Sequence, residues 1–158
     1  GMTVIATTRR ESARPLLNEA GAAHVVIDDG RIEEKVRALA PGGVDAALEL
    51  VGIPVLGDTL RCVRPGGMVS FTGSLTEVWS MKDFSPFGLI HSTVGLTVYH
   101  GHAWDLPASV LQEVLDSVKA GEMSVPIAGV FNGLEQVPDA HRAMESHEVP
   151  GKNVVVLG

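Results

Sequence analysis

The chain has 158 residues, 45% of them hydrophobic and 20% charged, which suits one ordinary domain with a real core and argues against wholesale disorder. A net charge of −7 argues against unspecific binding to nucleic acid or an anionic membrane, since both need clustered Lys and Arg to meet phosphate. The single cysteine, Cys62, excludes an intrachain disulfide and with it a disulfide-built secreted scaffold.

The chain opens in an apolar strand-like run, Thr3 to Thr8, with no charged leader before it. No run approaches bilayer length, so no membrane association is expected and the cytoplasm is the default compartment. A helix is expected from about Glu11 to Ala20, with Pro15 near its start and Gly21 placed to end it. A short strand follows at His24 to Asp28. The next helix, Ile32 to Leu39, sets Ile32, Val36 and Leu39 on one face and stops at Pro41-Gly42-Gly43.

Val44 to Val51 is nearly all apolar, broken only by Asp45 and Glu49, as suits a strand buried on both faces of a parallel sheet. Glu49 needs a partner or an exposed face, and its neighbours do not say which. A helix from Pro54 to Val63 leads through Arg64-Pro65-Gly66-Gly67 to a strand at Met68 to Thr72, and Val94 to Tyr99 reads as another strand. Asp105 is placed as an N-cap, with Pro107 in the first turn of a helix striped by Val110, Leu111, Val114, Leu115 and Val118 and ended by Gly121. The last third reads as a strand at Ile127 to Phe131, a helix at Glu135 to Ser146 and a strand at Asn153 to Leu157. This alternation implies an α/β fold, a parallel sheet with helices on its faces.

Ligands of doubly wound sheets bind beyond the carboxyl ends of the strands. The segments to inspect are therefore Thr7 to Arg10, Leu50 to Gly52, Thr72 to Ser74 and Tyr99 to His102. A glycine loop of the G-x-G-x-x-G kind is absent, because no two of the 18 glycines are two apart in the required pattern, and the phosphate loop ending in Gly-Lys is absent too. Arg9 and Arg10 precede the first acid, Glu11. They suit a ribose 2′-phosphate, or form an ordinary solvated helix start. Asp28 and Asp29 face either an adenosine ribose or a turn built with Gly30.

His100 and His102, with Asp105 near, share a face, but a zinc site needs three or four ligands. His91, His141 and His147 lie in unrelated segments, so no metal site is expected. Cys62 reads as a packed helix residue and not a nucleophile, and no serine stands in a nucleophile elbow.

Two stretches carry a family resemblance: Gly43-Val44-Asp45-Ala46-Ala47-Leu48-Glu49-Leu50-Val51-Gly52, and Leu60-Arg61-Cys62-Val63-Arg64-Pro65-Gly66-Gly67-Met68-Val69-Ser70-Phe71-Thr72-Gly73. Together with Ala140-His141-Arg142-Ala143-Met144-Glu145 and Gly151-Lys152-Asn153-Val154-Val155-Val156, they resemble the medium-chain dehydrogenase/reductase superfamily, closest to its NADPH-dependent quinone-oxidoreductase branch. The resemblance implies a two-domain enzyme with a GroES-like catalytic domain and a Rossmann domain for NADPH. It implies that Thr8, Arg9 and Arg10 lie near the 2′-phosphate, Val51 and Gly52 along the cofactor, and Gly73 and Ser74 near its nicotinamide half. No catalytic residue of the family has a counterpart here.

The resemblance also implies an incomplete Rossmann-like doubly wound parallel sheet, lacking the first strand and the glycine loop. The expected division is a cofactor-binding domain at 1–125 and, at 126–158, a strand-helix-strand that would rejoin the absent GroES-like domain. The missing strand belongs between Thr3–Thr8 and Val44–Val51. Three things would cover the bared edges: the two strands closing together, Asn153 to Leu157 filling the slot, or a second copy of the chain. The expectation is a homo-oligomer, assembled through the Val94–Tyr99 edge and these bared edges. Two functions follow: part of an NADPH-dependent oxidoreductase acting on a quinone, enone, alcohol or aldehyde and inactive alone, or a non-catalytic interaction module derived from one.

Overall fold

A computed structural model describes every residue except Ala103 and His147, so the expectation for His147 lies outside the described residues. The chain forms two compact units, Gly1–Gly101 and His102–Gly158. The boundary expected from the sequence lies instead at 125/126, with the helix after Pro107 in the first part.

In the first unit, β1 (Ile5–Thr8) pairs in parallel with β2 (His24–Ile27). A second sheet has the order β3 (Val44–Glu49), β4 (Val63–Phe71) and β5 (Gly95–Val98), again all parallel. The helices are α1 (Arg14–Glu19), α2 (Glu33–Leu39), α3 (Ile53–Cys62) and the short α4 (Pro86–Leu89). The expected strands and helices are all present, while α4, started by Pro86 and capped by the Ser85 side chain, was not foreseen. Leu56 and Leu60, one turn apart on α3, pack with Val63, Val69 and Val94 into a core from which Leu60 and Val69 are fully excluded from solvent. A second cluster joins Val26, Val36 and Cys62, with Ile5, Ile32 and Val44 against it.

The single parallel sheet expected from the alternation is therefore two sheets in this unit. β1 pairs only with β2, so the two strands do not close together, and β7 (Lys152–Val156) pairs with β6 (Ile127–Asn132) and does not fill the slot. The sheets are joined through helices instead. The Ile32 N–H donates to the Asp58 carboxylate at 2.6 Å, Arg37 donates to the Arg61 carbonyl at 2.6 Å, and Arg61 pairs with Glu33 at 2.9 Å.

The two exposed sides of the β1-β2 pair differ. In a parallel ladder, alternate peptide groups face opposite neighbours. The Val4 and Thr8 carbonyls accept from His24 and Asp28, so the Val25 and Ile27 carbonyls of β2 face outward. Arg14 donates to the first at 2.8 Å and Lys35 to the second at 2.8 Å, which caps that edge. By the same alternation, Ile5 and Thr7 of β1 turn their peptide groups the other way. Since the Glu49 carbonyl accepts from Thr72, directly after β4, Ala46 and Leu48 of β3 also face away from their partner strand. No strand bonds to these inner edges among the described residues.

The second unit contains α5 (Ala108–Lys119), β6, α6 (Val137–Ser146) and β7, with β6 and β7 parallel. Asp105 is not the N-cap of α5. That place belongs to Pro107, and the Asp105 carboxylate accepts the His102 N–H at 2.8 Å. The apolar stripe of α5 forms as expected, yet Leu111 and Leu115 remain 49% and 53% exposed.

Candidate functional site

Paired residues along α2 and α3, Ile32 with Asp58 and then Arg37 with Arg61, show that these helices run side by side in one direction. The strands of the first unit therefore all present their carboxyl ends on one side. Thr8 to Arg10 follow β1, Val51 and Gly52 follow β3, and Gly73 and Ser74 follow β4.

The last four of these residues are brought together. The Thr72 and Gly73 N–H groups donate to the Glu49 carbonyl at 2.9 and 3.2 Å, and Thr76 N–H donates to the Val51 carbonyl at 3.2 Å. Gly52 sits at φ +126°, and a Cβ there would lie 2.8 Å from Thr76 Oγ1. A Cβ on Gly73 would lie 2.8 Å from the Leu50 carbonyl oxygen. Gly73 thus requires glycine because its loop meets the Leu50 backbone, and Gly52 because of its positive φ. Ser74 is engaged locally, its hydroxyl donating to the Val78 carbonyl at 3.3 Å.

Glu49 is buried at the root of this lip, 4% exposed. Its Oε1 accepts the Val51 and Gly52 N–H groups at 2.7 and 3.0 Å, and its Oε2 accepts the Thr59 hydroxyl. The sequence left its partner open. The partners are the turn directly after it and a threonine ten positions on, one helical pass of α3 away. Those two amides stand just before the first turn of α3, so the Glu49 carboxyl group fixes the lead-in to that helix.

Thr8, Arg9 and Arg10 stand apart from the lip, with no hydrogen bond to it among the described residues. Thr8 Oγ1 accepts the Arg10 N–H at 3.2 Å, which shapes the turn and leaves both arginine side chains exposed. Neither arginine forms an ion pair among the described residues, whereas Arg14 next along pairs with Glu11.

Asp28 takes the turn role, its carboxylate accepting the Gly30 N–H at 2.8 Å, and Asp29 pairs with Lys35 at 2.7 Å. His102 stacks on Trp104 with ring centroids 4.4 Å apart. Among the described residues no three His, Cys, Asp or Glu side chains converge as metal ligands would. Cys62 is buried, its thiol donating to the Asp58 carbonyl at 3.3 Å, and burial pushes its pKa up to about 12. The sequence also did not reveal an apolar cavity of about 190 Å³ beside the lip, lined by Ile53, Phe71, Phe84, Leu89 and Val98 among others. No helix of the described residues is long and apolar enough to cross a membrane.

A family described as zinc-binding dehydrogenase matches residues 20–155. A probable quinone oxidoreductase of Leishmania amazonensis is 28% identical across 99% of the chain, which spans 50% of that protein's length. Among solved structures, the crystal structure of AibC shares 29% identity and a TM-score of 0.83, over 100% of this chain and 43% of AibC. A mycobacterial protein solved in complex with NADPH matches at a TM-score of 0.73 and 20% identity, over 98% of this chain and 48% of its own, and so speaks to the fold alone. The chain thus spans about half the length of these relatives and resembles the Rossmann-like part of medium-chain quinone oxidoreductases. With a match across most of its length and strands, helices and loop crossings in the places described, this chain belongs to the zinc-binding dehydrogenase family.

Proposed function

We propose that this chain is the cofactor half of an NADPH-dependent oxidoreductase acting on a quinone, enone, alcohol or aldehyde, and that it is inactive alone. The observation that carries the cofactor preference is the pair Arg9 and Arg10, exposed and without an ion-pair partner among the described residues at the carboxyl end of β1. Guanidinium groups in that state offer the donors a ribose 2′-phosphate needs. Val51, Gly52, Gly73 and Ser74 would line the rest of the cofactor, whose bound nicotinamide supplies hydride transfer. The sequence carries no G-x-G-x-x-G loop to seat the pyrophosphate at a helix N-terminus. Binding should therefore be weak.

Zinc does not fit, since no donor cluster exists among the described residues, and no step is assigned to it. A compartment that keeps Cys62 a thiol, the cytoplasm, suits this reading.

Calorimetric titration of NADPH should give a dissociation constant weaker than micromolar, and NADH should bind more weakly still. Replacing Arg9 and Arg10 together by Ala should remove the preference, at about tenfold, or roughly 1.4 kcal/mol, for each guanidinium–phosphate hydrogen bond removed. Equal affinity for the two nucleotides in the unaltered chain would overturn the assignment of the arginines. Quinone reduction by the pure chain would overturn its inactivity.

A second reading, an interaction module that assembles with itself, is favoured by the inner edges of β1 and β3, which no strand covers among the described residues. The free side of β5, within Val94–Tyr99, adds a third edge. A single-monomer mass by light scattering at micromolar concentration would count strongly against it.

A further inference from the structure

Glu49 is the charged residue most deeply buried among those described. Its three hydrogen bonds are unevenly distributed in purpose. One, to Thr59, ties the carboxyl group to the body of α3. The other two hold the Val51 and Gly52 amides, and so fix the turn that leaves β3. The same residue's main-chain carbonyl accepts from Thr72 and Gly73 on the other loop. Gly52 in turn lies under Thr76 and Ser74, at a positive φ that disfavours any side chain. One residue thus grips both loops, the first by its side chain and the second by its backbone.

We propose that Glu49 is a positioning residue: its buried carboxyl group acts as an internal acceptor that holds the Val51–Gly52 turn against the Gly73–Thr76 loop and so sets the shape of the cofactor-facing lip. A buried carboxyl group is costly to keep, and a hydrophobic side chain would fill the same space more cheaply. What an apolar side chain lacks is an acceptor for two turn amides. Without one, the amides would seek solvent and the turn would leave its place beneath Thr76. The role in cofactor binding rests on the reading of the lip as NADPH-facing, while the coupling of the two loops does not.

The test uses the full chain with Glu49→Gln, Glu49→Asp and Glu49→Ala, read by NADPH titration and by residue-resolved amide hydrogen exchange. Glutamine keeps an acceptor at the same reach, so exchange and NADPH affinity should stay within about twofold of the unaltered chain. Aspartate is one methylene short and should raise exchange at Val51 and Gly52 and, across the lip, at Thr76, in a chain that still folds. Alanine should do so more strongly and weaken NADPH by about tenfold. In both, the amides of the β1-β2 ladder should exchange as before.

If Glu49→Asp leaves Thr76 unchanged, or loosens β1-β2 as much as the lip, Glu49 is an anchor of the fold only and the inference falls. It falls equally if Glu49→Gln loosens the lip as alanine does. An unaltered chain that binds no NADPH at millimolar concentration sinks the functional reading instead, and exchange at Thr76 still decides the coupling.

Discussion

The β3-β4-β5 half of the first unit buries Leu60 and Val69 completely and ends in loops gripped by Glu49. The β1-β2 half rests on a smaller cluster, Val26, Val36 and Cys62, and ends in Arg9 and Arg10, which are held by one local hydrogen bond. The same contrast holds at the strand edges. The outer edge of β2 is capped by Arg14 and Lys35, and the inner edges of β1 and β3 are capped by nothing among the described residues. Two half-sheets can therefore keep their own geometry while depending on α2 and α3 for their union. The loops held by more hydrogen bonds belong to the half with the fuller core.

The largest effect expected from this contrast is in stability. Leu60→Ala removes a side chain with no exposed surface from the fuller core and should cost about 3–5 kcal/mol, a large part of the stability of a domain this size. Val26→Ala, in the smaller cluster, should cost about 1–3 kcal/mol. Urea titrations followed by circular dichroism measure both. Equal costs would mean that the two halves share one core and do not differ as their burial suggests.

Local signals account for what could be read in advance. Periodicity located α2 and α5, and glycines at positions 21 and 121 marked helix ends, because these depend on neighbours within a turn. The glycines of the lip were found as strand-end loops, but the necessity of Gly73 comes from its loop meeting the Leu50 backbone, which no local pattern records. Asp105 was misplaced as a cap because Pro107, with its fixed φ, ends the irregular segment two residues later and starts the helix itself. The segment before β5 was unread. Glu77, Asp83 and Thr93 there adopt positive φ, a conformation that Glu and Thr side chains do not announce. Strands were legible and their pairing was not, since a parallel ladder is set by residues far apart in the chain.

Self-association offers the next test. Thr7→Pro removes an N–H that faces the inner gap and bonds to nothing in the β1-β2 ladder, so the chain should still fold. If the bared edges join copies of the chain, this change should weaken association by about tenfold, seen as a shift toward monomer mass in light scattering. Lys35→Ala uncovers the Ile27 carbonyl on the already capped side and should instead promote association, more weakly. The reverse order of effects would place the sticky edge at β2.

The smallest effect concerns Cys62, which ends α3 within the cluster that serves β1-β2. Burial is the chief cause of its raised pKa of about 12, and the negative charges of Asp58 and Glu33 add to it against Arg37 and Arg61. The unfolded thiol loses its proton near pH ~8.5, so the folded chain binds the extra proton above that value. The contribution to stability is full below about pH 8.5 and is lost progressively as pH rises toward the folded value near 12. Stability should therefore fall between about pH 8.5 and 10 in the unaltered chain, and fall less in Cys62→Ala. Alkylation by iodoacetamide at about pH 8 should be slow until urea opens the fold. Because the thiol sits where α3 meets the cluster beneath β1-β2, its rate of labelling in sub-denaturing urea reports opening of that half. Labelling that rises only together with global unfolding would show that the β1-β2 half does not open before the rest, and would erase the contrast at its weakest point.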